Sequence, residues 1–120
     1  MGTLLLHIAA VEFSWILEDI FKRPMGREWE VAFPIRVGMP QVSGKPLEYF
    51  VETLDRVRTE VRSALATLTD TDLNRVVIPQ DESGAPESHG YTIRWILHHL
   101  VEHEAHHRGQ IAMMKRLLPE

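Results

Sequence analysis

From Ile93 to Leu118 the apolar residues Ile93, Ile96, Leu100, Ile111, Met114 and Leu118 recur at intervals built from threes and fours, and no other pattern in the chain restricts the fold as tightly. That spacing stacks one side chain per turn on one line of an α-helix, so the segment must offer an apolar stripe to a core. Thr92 supplies a cap in front of it and Pro119 a stop behind it. The stripe is not purely apolar. At about 100° per residue, His103 and His107 fall within about 50° of its centre, one turn apart. His98, His99 and His106 fall off it, and His106 joins Trp95, Met113 and Leu117 on a second, half-apolar face that reads as a subunit contact.

Two core-facing imidazoles one turn apart both need partners, because an unpaired buried polar group costs about 1–3 kcal/mol. A shared divalent ion satisfies both, and an i,i+4 histidine pair can reach one ion at the usual metal–nitrogen distance. In a chain with seven histidines one such pair also arises readily by chance, so the spacing gains its weight from the predicted burial. There is no cysteine, which excludes a thiolate nucleophile, a disulfide framework and a cysteine-based zinc site; any metal must rest on imidazole or carboxylate. A third ligand has to come from elsewhere, and His7 stands on the only other strongly apolar helical segment that holds a histidine. His89, in a Gly/Pro/Ser loop, is expected to be exposed.

The rest of the chain reads as one helical domain over residues 1–120. Leu4, Leu6, Ile8, Val11, Phe13, Trp15, Ile16, Leu17 and Ile20 point nearly all round an N-terminal helix, which must therefore be covered on more than one side. It lacks the basic start of a secretory signal, and Glu12, Glu18 and Asp19 interrupt it before a membrane span is reached, so a cytoplasmic protein with no membrane partner is expected. Pro24 to Pro46 is a long Pro/Gly stretch, anchored by Trp29 and Phe33, that reads as a loop over the bundle or as a lid. Pro46 fits the first position of a helix through Leu47, Phe50, Leu54, Val57, Val61, Ala64, Leu65 and Leu68, whose other face (Glu48, Glu52, Asp55, Arg56, Thr59, Glu60, Arg62) is solvated. Thr69 to Asp72 caps a short turn, and Arg75 to Pro79 is β-like, with a small hairpin returning through His89 to Tyr91. The net charge of −4 with no Lys/Arg run gives no electrostatic footprint for nucleic acid.

Leu5-Leu6-His7-Ile8 followed by Glu12 and Trp15, and above all His103-Glu104-Ala105-His106-His107-Arg108-Gly109-Gln110-Ile111, resemble the DinB/YfiT-like family of metal-dependent bacterial proteins. The resemblance covers almost the whole chain, including the turn Leu68-Thr69-Asp70-Thr71-Asp72-Leu73-Asn74-Arg75. It implies an all-α, up-down-down-up four-helix bundle holding one divalent ion on three histidines, which match His7, His103 and His107 here. Three imidazole ligands leave a coordination position open and suit Zn, Ni, Fe or Mn. The implied activity is thiol (S-)transferase-like, with a low-molecular-weight thiol as cosubstrate and a small-molecule electrophile as substrate; the alternative is a non-catalytic metal- or small-ligand-binding stress-response protein. Relatives carry a further helix before the one bearing the first histidine, whereas Met1 directly precedes it here. The expectation is three long helices per chain, with the bundle completed in a homodimer or the chain shortened relative to its kin.

Around the proposed ligands, Gln110 is expected to support an imidazole from outside, near His103, and Arg108 to pair with Glu104. Gly109 costs a helix about 1 kcal/mol relative to alanine, so close approach of another helix is its expected reason. Because protonated imidazole cannot ligate, metal is expected to be lost as pH falls through roughly 6.

Overall fold

The computed structural model describes residues 2–32, 44–80 and 83–118. The architecture is all-α, with three long helices among the described residues and one minimal antiparallel sheet. Helix α1 spans Gly2–Glu12 and runs without a break into a π-helical segment, Phe13–Ile20. Its closing bond runs from Phe21 N–H to the Ile16 carbonyl at 3.1 Å, a five-residue step. Such wide turns are rare and usually confined to single bulges near functional sites. Here the segment keeps Ile16, Leu17 and Ile20 buried while Trp15 stands out beside Tyr91, Trp95 and His99. Lys22, at φ 59°, takes the left-handed conformation that ends the helix, and Pro24 follows.

The all-round apolar character of α1 is answered within the chain. Leu6, Ile8, Ala9, Ala10 and Val11 are buried against the second helix, α2 (Leu47–Leu65), and the short turn Arg27–Ala32, with the last helix on a further side. No second subunit is needed to cover them. The Pro/Gly stretch begins by folding back: Trp29 is buried with its ring 5.7 Å from Phe13, and Ala32 is buried as well. Residues 33–43 of the stretch read as a loop or a lid, with the anchor at Phe33, lie outside those described.

Helix α2 buries Phe50, Thr53, Val57, Val61 and Ala64 and leaves its charged face exposed, as the pattern predicts. Two boundaries differ. Pro46, at φ −71° and ψ 160°, is the extended residue before the first turn and not its first helical position. The helix closes at Leu65, so Leu68 packs from the following turn, where a carboxylate–backbone cap wins over a further helical turn. There Thr69 N–H donates to the Asp72 carboxylate at 2.8 Å at the head of a short turn, Asp70–Asn74.

The hairpin forms as β1 (Val76–Val77) and β2 (Tyr91–Thr92), with Val76 opposite Thr92 and Val77 opposite Tyr91. Its use is to set the start of α3 (Ile93–Leu117): Ile93 N–H donates to the Arg75 carbonyl at 3.0 Å, and Thr92 Oγ1 accepts from Trp95 N–H at 3.1 Å. Ile93 and Ile96 are fully buried, Leu97 and Leu100 partly so, and beyond them α3 continues past the core. The stop expected at Pro119 lies outside the described residues. Among the described residues, no helix is long and apolar enough to cross a membrane.

Candidate metal centre

His7 reaches the interior because α1 is buried on most sides at its level, and the residue is 6% exposed. Its Nδ1 lies 2.9 Å from the Ala32 carbonyl. A carbonyl oxygen only accepts, so Nδ1 carries the proton and Nε2 presents its lone pair. The loop that follows the π segment thus fixes the tautomer and tilt of a residue 25 positions earlier.

From α3, His103 and His107 lie one turn apart on the stripe that faces α1, with ring centroids 4.4 Å from each other and each 5.1 Å from His7. His107 Nδ1 donates to Gln110 Oε1 at 2.6 Å, which frees its Nε2 in the same way. The Nε2 atoms converge: His7 to His103 is 3.2 Å and His107 to His103 is 3.0 Å. One donor atom from each of the three lies within 4.8 Å of the others. Two nitrogens bound tetrahedrally to one ion at about 2.05 Å stand about 3.3 Å apart, so the observed spacing is close to that of a shared cation. With both Nδ1 protons committed outward, one N–H on His103 Nε2 can serve only one of two facing lone pairs. A cation at their meeting point serves all three, and the donor set therefore fits a divalent metal.

Electrostatics favour the neutral, ligating form. Burial lowers the His7 pKa, opposed by the Ala32 carbonyl and reinforced by nearby His107. Burial also pushes His103 down to about 4, and crowding by His107, His7, His99 and His106 adds to it.

The other histidines stand outside the converging trio. His98 pairs with Glu102 at 2.8 Å on an exposed face, His99 stacks on Trp95 at 4.7 Å, and His89 is exposed as expected. His106 is exposed on the second face of α3. Gln110 does support an imidazole, that of His107 and not His103, since a three-residue step brings it over the turn.

Two expectations fail. Glu104 is held not by Arg108 but by Arg58 of α2, whose Nη2 donates to Glu104 Oε2 at 2.9 Å. Arg58 also forks onto Glu12 of α1, Nε at 2.7 Å and Nη2 at 3.1 Å, and so ties all three helices beside the histidines. A guanidinium already fixed on buried Glu12 is the better-placed partner for Glu104. Gly109 meets no close helix: a Cβ built there finds nothing within 4 Å. The Arg58 clamp was missed by sequence reasoning, although Glu12 within an apolar helix was the signal for it. A cavity of about 260 Å³ adjoins the clamp, walled by Ile8, Ile16, Val61, Leu97 and Leu100, with Glu12, Arg58 and His103 also on its lining.

A family model described as the DinB superfamily matches residues 1–111. An uncharacterized protein of Bacillus subtilis (strain 168), YizA, is 30% identical over 114 residues, which cover 95% of this chain and 62% of that protein. The chain thus spans less than two thirds of the relative's length. No solved structure matches.

Proposed function

This chain belongs to the DinB superfamily, and on that premise we propose that His7, His103 and His107 ligate one divalent metal ion at which a low-molecular-weight thiol is transferred to a small electrophile. The observation that carries the reading is the convergence of three Nε2 atoms, two of them with the opposite ring nitrogen committed to an outside acceptor.

A divalent ion held this way supplies Lewis acidity, with a position open for a thiol whose pKa it lowers. The chain's own residues do the rest. His7 and His107 are kept in one tautomer by Ala32 and Gln110, so the ligating lone pairs need no rearrangement. Glu12, Arg58 and Glu104 lock α1, α2 and α3 around the centre and neutralise most of one another's charge. The largely apolar cleft touching His103 offers room for an uncharged substrate body. With no cysteine in the chain, the reacting sulfur must arrive with the cosubstrate; its bond to the electrophilic carbon forms as the thiol proton is released and the leaving group departs with its electron pair.

Metal-loaded protein incubated with a panel of low-molecular-weight thiols and a chromogenic aryl halide tests the reading. A rate above that of the free thiol, lost in His103→Ala and kept in His98→Ala, is expected. No acceleration with any thiol in protein that carries its ion would leave a non-catalytic metal- or small-ligand-binding protein.

A further inference from the structure

Helices α2 and α3 scarcely touch one another, and α1 floors the cleft that this leaves. Arg58 of α2 meets Glu104 of α3 at one end; Leu65 and Leu97 line the other, seven residues or about 10 Å further along each helix. The surfaces between are aliphatic, with Ile8, Ile16, Val61 and Leu100 on them. The charges on this cleft are unevenly placed. Arg58 is committed to two carboxylates, Glu12 and Glu104, so that end is left with one negative charge over. Arg62, one turn further along α2 and on the same lining, is exposed and has no hydrogen-bond or ion-pair partner for its guanidinium among the described residues.

We propose that this cleft binds an aliphatic carboxylic acid, its carboxylate on Arg62 and its chain lying between α2 and α3 with the far end directed to His103. A guanidinium presents the planar fork that matches a carboxylate, and Arg62 has that fork unused. The aliphatic surfaces suit a flexible hydrocarbon chain. The charge left over at the Glu12, Arg58 and Glu104 end repels a second anion, so the acid enters one way round. Binding itself needs no ion. The acid's role as substrate rests on the transfer reading above: it then carries its electrophilic carbon at the end remote from the carboxylate. There the thiol sulfur bonds to that carbon, a halide leaves with the electron pair of the broken carbon–halogen bond, and the thiol proton passes to water.

Calorimetric titration of the full chain, both chelator-treated and metal-loaded, with octanoate and with octanol tests this. Octanoate is expected to bind once per chain in both forms, at least tenfold more tightly than octanol. Arg62→Gln should bring octanoate down to the level of octanol while octanol binding and the thermal midpoint stay unchanged. Val101→Trp, at an exposed position on the lining, should block both ligands. Octanoate that fails to bind, binds no more tightly than octanol, or is indifferent to either variant would overturn the assignment. In metal-loaded protein supplied with a thiol, ω-bromooctanoate should be consumed faster than bromooctane, a preference lost in Arg62→Gln. Octanoate bound as expected with neither bromide consumed counts against the transfer reading alone; an aryl halide turned over by protein that ignores octanoate counts against this one alone.

Discussion

At the scale of single residues, the centre depends on acceptors as much as on histidines. The Ala32 carbonyl and the Gln110 amide decide which nitrogen of His7 and of His107 faces inward. Gln110→Ala should therefore lower metal affinity about 10–100-fold in chelator competition without removing the site. The depressed pKa values fix a sign for the metal-free protein: His7 and His103 take up protons more readily unfolded than folded, so stability is full above about pH 6.5 and falls toward about pH 4, the value to which His103 is pushed. Thermal midpoints of chelator-treated protein across that range check it. Asp19 works in the opposite sense. Burial and the neighbouring Glu18 raise its pKa to about 6, so the fold loses stability as pH rises from about 4 through 6. Asp19 is half exposed, and solvent screening cuts the full two-unit linkage to about 1 kcal/mol. Asp19→Asn should be more stable than the wild type by that amount at pH 7.5 and no different below pH 4. His103 and His107 were legible in the sequence because helical period alone puts them on the core stripe. Ala32 was not, since nothing in a sequence reports which carbonyl of a Pro/Gly loop will meet a ring 25 positions earlier.

At the scale of elements, the helices were legible by their apolar period and by Thr92 as a cap, while the joins between them were not. The π-helical turn of Phe13–Ile20 has no signature that the apolar run Phe13, Trp15, Ile16, Leu17 would not equally give to an α-helix. Arg58 carries no sequence signal of its own; only the assembled helices bring buried Glu12 and exposed Glu104 to the two sides of its guanidinium. Removing it strands a buried carboxylate, so Arg58→Met should destabilise the fold by about 2 kcal/mol, below the usual range for buried pairs because Arg58 is itself half exposed. Denaturant unfolding should also find Glu12→Gln with Arg58→Met less costly than the sum of the single changes. Ile96, fully buried near the start of α3, should cost about 3 kcal/mol as Ile96→Ala.

For the whole molecule, the three imidazoles join the first helix, the loop at Ala32 and the last helix, elements that are otherwise far apart in the chain. An ion bound there stabilises the folded state by mass action, about 2.7 kcal/mol at a free concentration a hundred times its dissociation constant. The resemblance seen in the sequence led to the superfamily that the family model matches and named His7, His103 and His107, which the fold brings within 4.8 Å of one another; it expected uncovered apolar surface on α1. The folded chain buries most of α1 and, among the described residues, leaves Met113 and Leu117 of α3 exposed, because the packing partners of an all-round apolar helix depend on the loop and turn that fold back over it. The central claim, a three-histidine metal centre, is tested most directly by elemental analysis of the purified protein beside His98→Ala and the double variant His103→Ala/His107→Ala. The account predicts about one divalent ion per chain in the wild type and in His98→Ala, and none in the double variant; stoichiometric metal in the double variant, or a wild type that takes up none when supplied with zinc, nickel, iron or manganese, would contradict it.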